Sequence, residues 1–424
     1  MFSPVFHLEP MGRLANLMIE YMVALKFADM VRGCRISNIS IPAWGIHHPP
    51  LDSPGPVAVE QRQQYIDLPR LAEQAWSQRI ARVEWTGFGQ RMENFLPRQR
   101  YREVFASPFG MDMGYPADCL VCPVRAEDIL HGPNADYVLT PVEFYQDIVA
   151  QTGLKPVFIG QTSPNAYMDR IRAAFPDAVV REPQDDPLVD FETIRQSRHA
   201  VIGVSTYSWL AAWLSDRLEN IYLAVSGLFN PMQKPDVDLL PYGDERFKFF
   251  LFPINYAIPL ERHADVHARI APYWRQMPHE ALRRQFDAAP RFERSLDHAL
   301  AAFDEAFYLE TNADVAAAAE RLGPGFARGH YANHGFQERR LPMRLDPVWY
   351  ASRYPLAAFE VAQGDYAEFA HHYAAIGKAR GYLPYPQVGN TQTGNTQVGN
   401  TQAGDTKADE SCQPKVEMSP VSPK

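Results

Sequence analysis

The period of hydrophobic and polar positions changes several times along the chain, and each change marks an element. Over residues 16–31 the apolar side chains of Leu17, Met18, Tyr21, Met22, Ala24, Leu25 and Ala28 recur at helical spacing, which predicts an amphipathic helix. Residues 40–110 hold no sustained period and many Pro, Gln and Arg residues, so they read as mixed, loop-rich structure. From residue 119 the pattern becomes regular. Short apolar runs at 119–124, 157–160, 178–180, 200–204 and 221–225 read as strands. Between them, 141–152, 165–175, 188–197 and 206–215 read as helices, the first opened by Thr140 as N-cap. Alternating strands and helices predict an α/β fold: a parallel sheet with helices on both faces.

A different order follows. Phe307-Tyr308-Leu309 is matched by Trp349-Tyr350-Ala351, His330-Tyr331 by His372-Tyr373, Gly335 by Gly377 and Pro342 by Pro384, always 42 residues apart. A constant offset over four landmarks marks tandem supersecondary units. The Ala-rich stretches 314–322 and 356–362 carry helical spacing between the landmarks, so residues 300–385 read as two small helical modules. Aromatic residues at repeated positions are expected to pack the core of each unit; the other reading is that the His-Tyr pairs bind something. The pattern resembles short repeats appended to bacterial surface-polysaccharide and secreted proteins, which implies an interaction module with a protein partner. Beyond it, Val388-Gly389-Asn390-Thr391-Gln392 recurs over 393–397, 398–402 and loosely 403–407. Polar, Gly-containing five-residue units cannot bury a core, so 386–424 is expected to be a disordered, low-complexity tail.

Composition narrows the class. With 424 residues, two or three domains are expected at roughly 100–200 residues each. The net charge is -9 and basic runs such as residues 91–102 are short and interrupted, which argues against nucleic acid as the partner. Four cysteines (Cys34, Cys119, Cys122, Cys412) are too sparse for a disulfide scaffold. Cys119 and Cys122 have zinc-like spacing, but no second pair completes a tetrahedral site, and their apolar run predicts buried strand thiols. Residues 1–7 lack the basic and apolar regions of a signal peptide, and no run of 18 apolar residues offers a membrane span. The expected location is the cytoplasm, peripheral at the inner membrane where partners bring it there.

The candidate chemistry lies at a strand–turn–helix, Ala200-Val201-Ile202-Gly203-Val204-Ser205-Thr206-Tyr207-Ser208-Trp209. In an open parallel sheet ligands bind beyond the carboxyl ends of strands. A helix start there offers free N–H groups and positive dipole character, and Ser205, Thr206 and Ser208 add hydroxyls, a combination suited to a diphosphate. Simple helix capping by Ser205 or Thr206 explains the local pattern equally well.

Residues 190–199, from Asp190 to His199, and the segment after them resemble the α-1,2-fucosyltransferase family (glycosyltransferase family 11). That family carries an Asp-started helix, a strand, then Asn-Ser-Thr-Phe-Ser-Trp-Trp; this chain keeps Ser205, Thr206, Ser208 and Trp209 and has Val204, Tyr207 and Leu210 at the other three places. Near the N-terminus, Gly12-Arg13-Leu14-Ala15-Asn16-Leu17 is similar to the family's Gly-Arg-Leu-Gly-Asn-Gln start. Gly12 would let a loop approach a ligand, Arg13 would steady its oxygens, and Asn16 would orient the loop. The family's His-x-Arg-Arg-Gly-Asp is reduced here to Pro123-Val124-Arg125-Ala126-Glu127-Asp128, in which one Arg and the Asp survive. Arg125 would clamp the diphosphate and stabilise charge on the leaving group.

The resemblance covers about residues 8–260. It implies a GT-B-like pair of Rossmann-like lobes: an acceptor-side lobe at 1–114 and a nucleotide-sugar lobe at 115–285, followed by the repeats and the tail. It implies a glycosyltransferase of the hexosyltransferase class that moves a sugar from a GDP-sugar, in the family GDP-fucose, to a hydroxyl of a surface glycan or lipid-linked oligosaccharide by inverting displacement. Arg125 and Asp128 are the catalytic candidates. Gly12, Arg13, Asn16, Arg125, Asp190, Ser205, Thr206, Ser208 and Trp209 are the donor-binding candidates. The family uses no metal. Asp236-Val237-Asp238 has the Asp-x-Asp form that holds a divalent ion elsewhere, but it follows Lys234-Pro235 in a loop pattern, and His47-His48 also lies in a Pro-flanked loop. Two alternatives stand beside this reading: a glycosyltransferase with another nucleotide-sugar donor, and a catalytically degenerate glycan-binding protein.

Overall fold

A strand too short to announce itself in the sequence starts the fold. The computed structural model describes residues 3–60, 64–130, 134–287, 292–336, 340–366 and 368–386, so the expected tail lies, from residue 387 on, outside the described residues. β1 (Val5–Leu8) is buried throughout and leads into α1 (Leu14–Met30), then into β2 (Arg35–Ser37), which lies parallel to β1. β3 (Ile39–Ile41) and β4 (Ile46–His48) form an antiparallel hairpin. β5 (Val57–Glu60), α2 (Leu68–Trp76) and β6 (Arg82–Trp85) make a second parallel unit, and a parallel four-stranded sheet results in the order β2-β1-β6-β5. The stretch expected to be loop-rich thus supplies two strands of a sheet. Runs of three or four residues are below the length at which a period can be read.

After α3 (Arg98–Val104) comes the second sheet. Its elements are β7 (Cys119–Val124), α4 (Glu127–Leu130), α5 (Val142–Thr152), β8 (Lys155–Gly160), α6 (Ala166–Ala174), β9 (Val179–Val180), α7 (Pro187–Gln196), β10 (His199–Ile202), α8 (Thr206–Leu214), β11 (Asn220–Val225), β12 (Phe247–Leu251), α9 (His263–Ile270), β13 (Arg275–Met277) and α10 (His279–Asp287). The order is β13-β12-β11-β10-β7-β8-β9, parallel except for β12 with β13. The chain is therefore an α/β protein with parallel-dominated sheets. Thr140 does not cap α5; Pro141 holds that place, and Thr140 Oγ1 instead occupies the space a side chain at Gly203 would need. Cys122 is buried and Cys119 half-buried in β7, and burial pushes both thiols up, so they stay protonated. Cys412 lies outside the described residues.

One hydrophobic core joins the sheets. It runs from Phe6, Phe27 and Trp85 through Phe95 and Tyr101 to Trp209 and Trp213 of α8 and the inner face of β10 and β11. The two indoles stack with centroids 5.6 Å apart, and Phe95 packs 6.4 and 5.8 Å from them. A second core covers the other face of the larger sheet with Phe144, Tyr145, Phe158, Phe250 and Phe252. Among the described residues no helix is long and apolar enough to cross a membrane.

The 42-residue repeat corresponds to a repeated set of contacts. After α11 (Phe292–Ala301), the first unit holds α12 (Glu305–Thr311), α13 (Ala313–Leu322), α14 (Phe326–His330) and a π-helical turn at Tyr331–Gly335; the second holds α15 (Pro347–Arg353), α16 (Pro355–Ala362), α17 (Phe369–His372) and a π-helical turn at Tyr373–Gly377. Asp304 and Asp346 cap α12 and α15 through the N–H groups of Phe307 and Trp349 at 3.0 and 2.9 Å. Their own N–H groups close each unit on the carbonyls of Pro342 and Pro384, at 2.8 and 3.0 Å. Tyr308 and Tyr350, both wholly buried, bond His330 and His372 Nδ1 at 3.1 and 3.0 Å. Each tyrosine hydroxyl lies where a Cβ on Gly335 or Gly377 would sit. The landmarks are the residues that pack and latch the unit.

This close approach makes a prediction. Gly377→Ala and Gly335→Ala should each lower stability by about 1–3 kcal/mol, because a packed, hydrogen-bonded tyrosine must move. Chemical denaturation measures this; an unchanged midpoint in both variants would show that the tyrosines are not held there.

Candidate functional site

The larger sheet reverses its winding between β7 and β10: the chain leaves β7 toward β8 on one side and β10 toward β11 on the other. A crevice opens outside the carboxyl ends of two such strands, with helix starts and loops as its walls. Arg125 follows β7 on one side, and residues 203–208 follow β10 on the other.

Several contacts fix Arg125. Its Nε donates to both carboxylate oxygens of Asp128 at 3.2 Å, its Nη2 to Oδ2 at 2.6 Å, and its Nη1 reaches the Val204 carbonyl across the crevice at 3.4 Å. The guanidinium lies over the Tyr137 ring, 4.4 Å from its centroid. Gln161, at the end of β8, holds the following turn by accepting from the N–H groups of Ala126 and Glu127 at 2.8 and 3.0 Å. Across the crevice, Ser205 Oγ accepts from the Ser208 N–H at 3.3 Å, an ordinary N-cap. The N–H groups of Thr206 and Tyr207, first in α8, remain for solvent or a ligand.

The smaller sheet contributes a third wall. The loop after β1 turns at Gly12, whose φ of 77° suits glycine, and Asn16 folds its amide over the place a Cβ would occupy. Asn16 Oδ1 accepts from Thr206 Oγ1 at 3.4 Å and from Gln90 Nε2 at 3.2 Å, which ties this loop to the start of α8. Arg13 is exposed at the same place, and its charge acts on Asp128. The structure therefore brings together Gly12, Arg13, Asn16, Arg125, Asp128, Ser205 and Thr206 from three loops on two sheets.

Other candidates stand elsewhere. Trp209 has no exposed surface and forms part of the core between the sheets, so it offers nothing to a ligand. Ser208 is buried with its N–H spent on the cap. Asp190 lies beside the site rather than in it: it pairs with Arg181 past the end of β9 and adjoins the crevice through Tyr207. Burial raises its pKa, against the pull of Arg181. Asp128 does not have the character of a general base. The Arg125 guanidinium holds its carboxyl below the usual range, and such a carboxylate takes up protons poorly near neutral pH.

The metal candidates are structural too. Asp238 exchanges backbone hydrogen bonds with Gln90 and Met92 at 3.0 and 2.7 Å, and the Asp236 carbonyl accepts from Arg91, so this segment fastens to the smaller sheet. His48 bonds the Tyr21 hydroxyl at 3.1 Å, while His47 faces outward from the hairpin. Among the described residues no group of three His, Cys, Asp or Glu side chains could hold a metal ion. A groove of about 510 Å³ at the opposite, amino edge of the sheet has three arginines in its lining, Arg102, Arg195 and Arg217, matched by Asp216, Glu192 and Asp112. It lacks the free Thr206 and Tyr207 N–H groups and the converging loops of the carboxyl edge.

Sequence reasoning missed Tyr137, Gln161, Gln90 and Glu20. For the first three no signal marks them, since each acts through a loop whose partner is remote in the chain. Glu20 did leave a trace, a carboxylate inside the apolar run of α1. It is buried, and both its oxygens accept from the Met11 N–H at 3.2 Å, so it anchors the loop that carries Gly12 and Arg13. Burial pushes its pKa up to about 8, with the Met11 N–H opposing.

Comparison with known proteins adds no family: no protein-family model matches the chain, and no curated protein matches it either.

Glu20 carries a pH prediction. Its carboxyl keeps its proton in the fold up to about pH 8 but would lose it near 4.5 in the unfolded chain. The resulting stabilisation is full below 4.5 and is lost as pH rises to 8. The unfolding free energy of the parent from urea titrations should therefore fall between pH 5 and 8, by on the order of a few kcal/mol relative to Glu20→Gln, which has no such proton. Parallel pH profiles for the two proteins would contradict the assignment.

Proposed function

We propose that the chain is a glycosyltransferase of the GT-B type that binds a nucleotide-sugar diphosphate between Arg125 and the start of α8. The observation that carries the reading is the placement of Arg125 and the uncapped Thr206 and Tyr207 N–H groups on facing walls of the switch-point crevice, with Arg13 arriving from the other sheet. Two guanidinium groups and a helix start suit the two negative phosphates of a diphosphate. The family resemblance of the same residues supports a GDP-sugar, fucose-like donor and a glycan or lipid-linked hydroxyl as acceptor.

In the proposed reaction the acceptor hydroxyl attacks the anomeric carbon from the face opposite the diphosphate and gives up its proton to water in the open crevice. The bond from that carbon to the β-phosphate oxygen breaks with inversion, and the nucleoside diphosphate leaves with the electron pair. Arg125 and Arg13 offset the charge that develops on the leaving oxygen, and the crevice holds the partners in line. Asp128 aims Arg125 rather than moving a proton. Before a diphosphate binds, it also neutralises the guanidinium, which keeps an unpaired cation out of a half-buried place.

One observation favours a second reading, a protein that holds a nucleotide sugar without transferring it. The carboxylate nearest the crevice is committed to an arginine, and no other base is assigned. A panel of nucleotide sugars in a thermal-shift assay, followed by measurement of released nucleoside diphosphate with glycan acceptors, separates the cases. GDP-fucose should raise Tm and give release. A different nucleotide sugar that does so changes the donor, and stabilisation without release favours the binding protein. Arg125→Ala should weaken nucleotide-sugar binding by about 30-fold or more, the scale for a lost charge-assisted pair. Undiminished affinity would remove Arg125 from the site.

A further inference from the structure

The two repeats share their internal contacts but not their surroundings. In the first, only Val315 of α13 is buried. In the second, the equivalent helix α16 buries Pro355, Ala357, Ala358, Phe359, Val361 and Ala362. The difference has a visible cause: α16 is docked on the larger sheet. Ile254, just past β12, packs in the core of the second repeat and donates its N–H to the Ala358 carbonyl at 3.2 Å. Tyr256 meets Phe369 with ring centroids 6.3 Å apart, Arg275 lies over Phe359 at 4.9 Å, and Gln285 bonds the Ala362 carbonyl at 3.1 Å.

The segment gripped in this way continues straight to the candidate site. Asn255 donates its N–H to Gln233 Oε1 at 3.3 Å, and Gln233 Nε2 returns to the Asn255 carbonyl at 3.2 Å and to Asp136 Oδ1 at 3.0 Å. Ala257 N–H bonds the Ala135 carbonyl at 2.8 Å, and Leu228 N–H bonds the Asp136 carbonyl at 3.0 Å. Residues 135 and 136 are thus pinned from both sides, and Tyr137, the seat of the Arg125 guanidinium, follows directly.

We propose that the second repeat is a positioning element of the site: it grips the loop after β12, which with Gln233 holds residues 135–137 beneath Arg125. The first repeat, whose α13 buries only Val315 among the described residues, does not take part. The repeats are then unlike in role. The inference rests on the proposed anion site for its binding readout, but the grip on residues 135–137 can be measured without any ligand.

The test uses full-length chain and matched substitutions at equivalent places, Tyr350→Ala in the second repeat and Tyr308→Ala in the first, together with Gln233→Ala, which cuts the link and leaves both repeats intact. Amide hydrogen exchange over residues 134–137 should rise in Tyr350→Ala and Gln233→Ala and stay at the parental rate in Tyr308→Ala. The affinity for GDP, by calorimetry, should fall about tenfold in the first two and hold in the third, although both tyrosine variants lower Tm. Unchanged exchange in Tyr350→Ala and Gln233→Ala, or equal effects of the two tyrosine variants, overturns the inference. Parent chain that binds no GDP while the exchange pattern appears as described overturns the anion-site reading and leaves the positioning role standing.

Discussion

The stacked pair Trp209–Trp213 is the contact on which the arrangement depends. Both indoles belong to α8 of the larger sheet, yet their partners Phe95 and Tyr101 come from the segment that follows the smaller one. Aromatic side chains bury large areas and tolerate few alternative packings. Two sheets joined through such a core hold their loops at fixed separations. The 3.4 Å contact between Thr206 and Asn16 is possible because α8 is anchored at its buried face while its first turn stays open. Sliding or opening of one sheet on the other would have to break this core, so binding at the crevice is expected to proceed by movement of side chains, with Arg125 exchanging partners.

That exchange is where the electrostatics matter. Arg125 is neither free nor deeply buried. It is satisfied by Asp128, by a backbone carbonyl and by an aromatic face. A half-buried ion pair in this condition stabilises modestly, because desolvation offsets much of the attraction. An incoming diphosphate brings two charges and several acceptor oxygens against one carboxylate, so it competes well for the same donors. Glu20 is the opposite case. It is a buried carboxyl held by a backbone N–H, and it is tolerated in the core because it keeps its proton at neutral pH.

The larger sheet was legible from β7 to β11, where short apolar runs alternate with helices; β12 and the polar three-residue β13 were not read. β1 and β6 were not, since their burial depends on neighbours brought in from 30 or more residues away, as the pairing of Val5 with both Arg35 and Arg82 shows, and β5 is a half-exposed edge strand of four residues. The site shows the same division. Ser205 and Arg125 could be placed at strand ends from the sequence. Tyr137 beneath Arg125, Gln161 on the turn after it and Gln90 on Asn16 are brought there only by tertiary structure. Trp209 was misread because a tryptophan beside a ligand-like turn has the same local sequence whether its ring faces the crevice or the core, and α8 is enclosed by both sheets from Ser208 to Leu214.

The repeats show why equal sequence landmarks need not mean equal function. Each unit satisfies its latch internally: an aspartate cap, a tyrosine–histidine bond and a glycine that admits the tyrosine hydroxyl. Those constraints fix the fold of the unit and leave its outer surface free to vary. At the position of Glu360 in the second repeat, which pairs with His372 and Arg380, the first repeat has Ala318. At the position of Phe359, which meets Arg275, it has Ala317. Phe359 thus helps the second unit grip the sheet and Glu360 braces the unit itself, whereas the first unit has alanine at both places. The cap, the tyrosine–histidine bond and the glycine are common to both units, and the contacts with the sheet are concentrated on the one helix face where the second unit carries larger side chains.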